Sequence, residues 1–136
     1  MKSIAPFSAL AMSLALPVFA QSFDENGQGM GACFKLAEGE EADCVIGIFE
    51  ARDEELNIVY GAVLEIDAPV GESAGVHIER LRAAQRSWVQ FRDLACLSEA
   101  GPPLELPAIN FEHYFCLDRL TSHRVKDLMR LGALNE

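Results

Sequence analysis

The chain has 136 residues, half of them hydrophobic, and carries 11 basic against 21 acidic residues, for a formal net charge of −10. An acid excess of this size argues against nucleic acid as a partner, because a phosphate backbone would repel it. It suits solubility, and it would draw a basic protein from a distance.

The N-terminus, Met1-Lys2-Ser3, leads into the apolar stretch Ile4 to Phe19, with Val18-Phe19-Ala20 as small-residue recognition positions. This reads as a secretory signal peptide, residues 1–20, cut after Ala20. No cysteine follows the cut closely and no later apolar run is long enough to span a bilayer, so no membrane anchor is expected. The expected location is the periplasm or the exterior. Residues 21–32 are rich in Gly, Asn, Gln and Asp and read as a flexible leader, and a single domain then occupies 33–136.

Cys33, Cys44, Cys96 and Cys116 are an even set in a short chain bound for an oxidising compartment, which favours disulfides. Three pairings are possible. The two local ones, Cys33 with Cys44 and Cys96 with Cys116, are favoured because each closes a short segment beside an expected helix. No CxxC occurs and His77, His113 and His123 stand at no ligand spacing to the cysteines, so neither a metal nor a cofactor is expected.

The first expected helix runs from about Glu38 to Glu65, opened by Glu38, Glu40 and Glu41, whose charges suit a helix N-terminus. Its apolar side reads Ile46, Phe49, Leu56, Tyr60, Val63, with Asp53 on the stripe and Asn57 beside it. Asp67-Ala-Pro69-Val-Gly71 breaks the pattern, and a second helix follows from Ser73 or Ala74 to Ser98, with Ser73 as N-cap. Leu81, Gln85, Trp88, Arg92 and Ala95 share one of its faces. A third helix, about Phe115 to Leu131, lines up Leu117, Thr121, Arg124, Leu128 and Leu131, widened by Leu120 and Val125. No sustained period-two alternation appears. The fold class is therefore all-α, a small antiparallel bundle of three main helices stapled by two disulfides.

Each helix thus puts polar groups where core residues are expected: Asp53, Asn57 and Tyr60; Gln85, Arg92 and Asp93 around Trp88; Thr121 and Arg124. Unpaired charge inside a bundle is costly, so these groups are expected to meet, with Asp53 or Asp93 pairing Arg92 or Arg124. On that basis Asp53→Ala is expected to cost about 3 to 5 kcal/mol. The competing reading is that the same groups line a ligand cleft.

The connection 97–114 mixes Gly101-Pro102-Pro103 and Pro107 with Leu104, Leu106, Ile109, Phe111, His113 and Tyr114. Two outcomes stand open for these side chains, to cap the bundle or to face a partner, since large apolar residues serve both cores and interfaces. Phe111→Ala is the variant expected to test the second. Catalysis finds little support: no serine sits in an elbow sequence, no thiol is expected to be free, no histidine has an evident orienting acid, and no two carboxylates stand out.

Three segments carry a resemblance: Asp53-Glu-Glu-Leu56-Asn57-Ile-Val-Tyr60; Ala84-Gln85-Arg-Ser-Trp88-Val-Gln-Phe91-Arg92-Asp93-Leu-Ala-Cys96; and Cys116 ahead of Leu120-Thr121-Ser-His-Arg124. In this order they resemble the LprI-like lysozyme inhibitor family, over nearly all of the chain beyond the signal. The chain differs in an acidic stretch before Cys44 and a long Pro-rich loop before Cys116. The resemblance implies a small exported helical protein. Two functions are expected beside it: a non-catalytic inhibitor that an acidic surface steers to a basic lysozyme and whose loop Leu104 to Tyr114 covers the sugar cleft, or an accessory module of the cell envelope bound to another exported protein.

Overall fold

The computed structural model describes residues 28–133, and these contain no strand. A 3-10 helix, Gln28–Lys35, precedes three long helices, α1 (Glu41–Leu64), α2 (Ala74–Ala100) and α3 (Phe111–Ala133). The expected signal peptide lies outside the described residues.

Local chemistry sets each boundary. Glu41 and Asp43 stand in the first turn of α1, where the helix dipole favours anions. The Glu41 carboxylate also accepts the Gly39 N–H at 2.7 Å, and Gly39 takes a positive φ of 94° that glycine alone adopts freely. At the C-terminus of α1 the Glu65 and Ile66 N–H groups tighten back onto the Ala62 and Val63 carbonyls at 3.2 Å. Ser73 caps α2, its Oγ accepting the Val76 N–H at 3.4 Å. The start of α3 comes a full turn before the expected Phe115, because the Asn110 side chain accepts the His113 N–H at 3.4 Å and Glu112 occupies the first turn.

The order is up, down, up. Phe49 meets Tyr114 at 6.0 Å and Arg52 meets Asp118 at 3.2 Å, so α1 and α3 run the same way. Gln85 with Arg124, Arg92 with Thr121 and Cys96 with Cys116 set α2 against both. α3 packs on both neighbours, most extensively on α1. The N-termini of α1 and α3 and the C-terminus of α2 therefore share one end of the bundle, here termed the near end.

The core has three parts. At the near end Met30, Cys33, Ala42, Val45 and Ile109 are buried together. Cys96, Cys116 and Leu117 form the middle, and Leu56, Val63, Val125 and Leu128 the far end. Met30 is fully buried, so the expected leader 21–32 is corrected over 28–32, where the 3-10 helix Gln28–Lys35 packs into the core; 21–27 lie outside the described residues. The apolar stripe of α1 also shifts. Its buried residues are Ala42, Val45, Arg52, Leu56 and Val63, whereas Ile46, Phe49 and Tyr60 are only half-buried. Leu131, placed on the core face of α3 from its spacing, is 38% exposed.

Both local disulfides are present, Cys33–Cys44 and Cys96–Cys116, with Cα atoms 5.6 and 5.5 Å apart, and no cysteine is free. The second ties the ends of the α2–α3 connection. Replacing Cys96 and Cys116 together by serine should lower stability by roughly 3 kcal/mol through the entropy regained by the unfolded chain, as measured by urea denaturation. A loss under about 1 kcal/mol would mean that the unfolded chain is already restrained there. Among the described residues no helix is long and apolar enough to cross a membrane.

Candidate functional site

Arg92 joins all three helices. It is 8% exposed, and its Nη1 donates to Asp53 Oδ1 on α1 at 2.7 Å and to Thr121 Oγ1 on α3 at 3.3 Å. Its Nε donates to Asp93 Oδ1 at 2.9 Å on its own helix. The guanidinium lies 5.4 Å from the Trp88 ring and 5.6 Å from Phe49, so ring faces cover what the acceptors do not. Arg124 adds a second bridge: its Nε donates to Gln85 Oε1 at 3.0 Å and its guanidinium lies 5.8 Å from the same Trp88. Burial pushes the Arg124 pKa below its ordinary value, against the opposing charge of Asp127.

Asn57 is exposed and Tyr60 packs half-buried against the far-end cluster, so α1 reaches Arg92 through Asp53 rather than through them. The Asp53 and Asp93 side chains are 40% and 53% exposed, a wet rim around a buried cation. This corrects the cost expected for Asp53→Ala. Arg92 would keep Asp93 and Thr121, and a carboxylate already in water gives up little, so about 1 kcal/mol is expected in urea melts. A loss of 3 kcal/mol or more would show that Asp53 alone neutralises the cation.

The deeper charge pair is one that the sequence reading missed. Arg52 and Asp118 are 4% and 2% exposed, and Arg52 Nε donates to Asp118 Oδ1 at 3.2 Å while its Nη1 donates to Glu55 Oε2 at 2.7 Å. The signal was there: Val45, Arg52, Leu56 and Val63 keep helical spacing as well as the stripe through Asp53 does. Each arginine also donates to an acceptor on another helix, Arg92 to Asp53 and Thr121 and Arg52 to Asp118. Such an arrangement holds helix register.

The near end is built differently. The loop 101–110 is tied at its neck: the Asn110 side chain donates to the Ala100 and Pro102 carbonyls at 2.7 and 3.0 Å, and its backbone N–H donates to Pro103 O at 2.7 Å. His113 is buried, with Nδ1 donating to the Gly101 carbonyl at 2.6 Å. Ile109 is buried, Phe111 packs edge-on against Phe34 at 5.1 Å, and Tyr114 packs against Phe49. Of the six loop candidates only Leu104 and Leu106 face solvent, at 55% and 57% exposure. Leu104 moreover has φ +60°, a left-handed conformation that a leucine rarely takes and that costs about 1 kcal/mol. The variant Phe111→Ala is thereby reassigned, since it would mainly remove packing against Phe34.

The exposed leucines stand among anions. Glu38, Glu40, Glu41, Asp43, Glu105 and Glu112 belong to this end, and across 28–50 and 100–115 the only lysine or arginine is Lys35. Between the 3-10 helix and the loop lies a cleft of about 460 Å³, walled by Phe34, Leu106, Pro107 and Phe111 and edged by Glu41 and Asp43. A larger groove of about 570 Å³ opens at the far end between α1 and α3, around Ile58, Ile66, Leu128 and Met129. Among the described residues no group of histidines, cysteines and carboxylates could hold a metal ion.

The model of one protein family, described as lysozyme inhibitor LprI, matches residues 33–128. No curated protein and no solved structure matches the chain. The matched span takes in both disulfides, the Arg92 and Arg52 clusters and the whole α2–α3 loop. A match that spans α1, α2, most of α3, both disulfides and the polar bridges between the helices shows that the chain belongs to the LprI lysozyme inhibitor family.

Proposed function

We propose that this protein is an exported, non-catalytic inhibitor that binds a basic lysozyme through its near end, with the tip at Leu104 and Leu106 covering the sugar cleft. The carrying observation is that tip: two exposed leucines, one in a strained backbone conformation, on a loop whose neck is fixed by Asn110 and His113. A loop already ordered loses little entropy on docking. The surrounding acids supply long-range attraction to a cationic enzyme. The Arg92 and Arg52 clusters serve as the scaffold that holds the three helices under this end.

The test is cell-wall hydrolysis by a chicken-type lysozyme titrated with the oxidised protein at low and physiological salt. Stoichiometric inhibition that weakens with salt is the expected result. Absence of inhibition at both salt concentrations would favour an envelope accessory module that uses the same tip on another exported protein.

A further inference from the structure

We propose, on the basis of the lysozyme reading above, that the near-end cleft receives a single lysine or arginine side chain of the bound enzyme. Its walls are aromatic and apolar. Phe34 remains 48% exposed although it packs edge-on against both Phe111 at 5.1 Å and Phe115 at 6.0 Å, and Leu106 and Pro107 close the opposite side. Two carboxylates stand at the edge, Glu41 and Asp43. Glu41 is held in place by the Gly39 N–H at 2.7 Å, and neither carboxylate forms an ion pair with a lysine or arginine among the described residues.

An apolar ligand would fill the walls but strip water from the two anions without compensation. An anion would be repelled. A long cationic side chain matches both halves, since its methylene stem lies along the apolar wall while its charged head reaches the carboxylates and the ring faces. Leu106 belongs to the cleft and to the loop tip at once, so a partner seated on the tip brings its own surface over the cleft. The two contacts would form together. Lysozyme inhibition by the tip would then depend on one basic residue of the enzyme beside its sugar cleft.

The test compares three forms of the exported, oxidised protein: the unaltered chain, Glu41→Gln with Asp43→Asn, and Glu65→Gln with Asp67→Asn. The last pair makes the same charge change at exposed positions of the opposite end. Glutamine at position 41 keeps an acceptor for the Gly39 N–H. Affinity for chicken-type lysozyme should fall about tenfold for the cleft pair and no more than about twofold for the distant pair. A pentalysine peptide should shift the NMR resonances of Phe34, Gly39, Asp43 and Phe111, and those shifts should vanish in the cleft pair. Equal weakening by both pairs, or peptide shifts spread over all acidic residues, would overturn the cleft and leave only long-range attraction. Pentalysine bound in the cleft without lysozyme binding would keep the cleft and retire the lysozyme reading. Lysozyme binding indifferent to the cleft pair would do the reverse.

Discussion

Asp118→Ala should destabilise the fold by about 3 kcal/mol, the largest loss expected from removing any one carboxylate. Asp118 and Arg52 are both almost fully buried, and the Nε of Arg52 points at Asp118 across the α1–α3 contact. Glu55 would still hold Nη1 from its place on the same helix, but Nε would lose its carboxylate acceptor on α3. A buried guanidinium that loses this carboxylate cannot replace it with water without opening the contact. Replacing both members, Arg52→Met with Asp118→Leu, should recover most of the loss, because the penalty comes from leaving a buried cation short of its inter-helix carboxylate rather than from lack of the pair. Urea unfolding of the three proteins measures this. A loss under about 1 kcal/mol for Asp118→Ala would place the pair among surface bridges, with water reaching Arg52.

Leu104→Asp combined with Leu106→Asp should raise the Kd for a basic lysozyme by about 100-fold while leaving stability within about 0.5 kcal/mol. Both side chains are more than half exposed, so the folded monomer loses little. The substitution adds two anions to an end that is already acidic, which by itself would speed encounter with a cationic enzyme. Weaker binding would therefore report that the tip is covered in the complex, through lost apolar contact and the desolvation of the new carboxylates, and not a loss of long-range attraction. Calorimetric titration together with a thermal melt separates the two effects. Undiminished affinity would remove the tip from the interface.

The elements were legible because their signals are local. Pro69 and Gly71 interrupt the helical pattern, Ser73 caps α2, and cysteines spaced to close short segments pair as expected. Arg92 stood out because it shares a face with the only tryptophan of the chain. What stayed hidden depends on how the helices turn toward one another. A stripe through Val45 and Arg52 and one through Phe49 and Asp53 are equally regular, and only the packing of α1 against α3 buries the first. Met30 shows the same limit, since its burial under the near end follows from where the chain returns, not from the polar residues around it. Within the loop, Ile109 and Leu106 have similar side chains. The hydrogen bonds of Asn110, which close the neck, turn one inward and leave the other at the tip.

The most direct test of the near end as the contact face is amide hydrogen exchange of the protein alone and with an excess of chicken-type lysozyme. Slower exchange confined to residues 34–44 and 101–112 is the predicted result. Protection centred on the far-end groove around Ile58, Ile66 and Met129, or no protection at any residue, would contradict it.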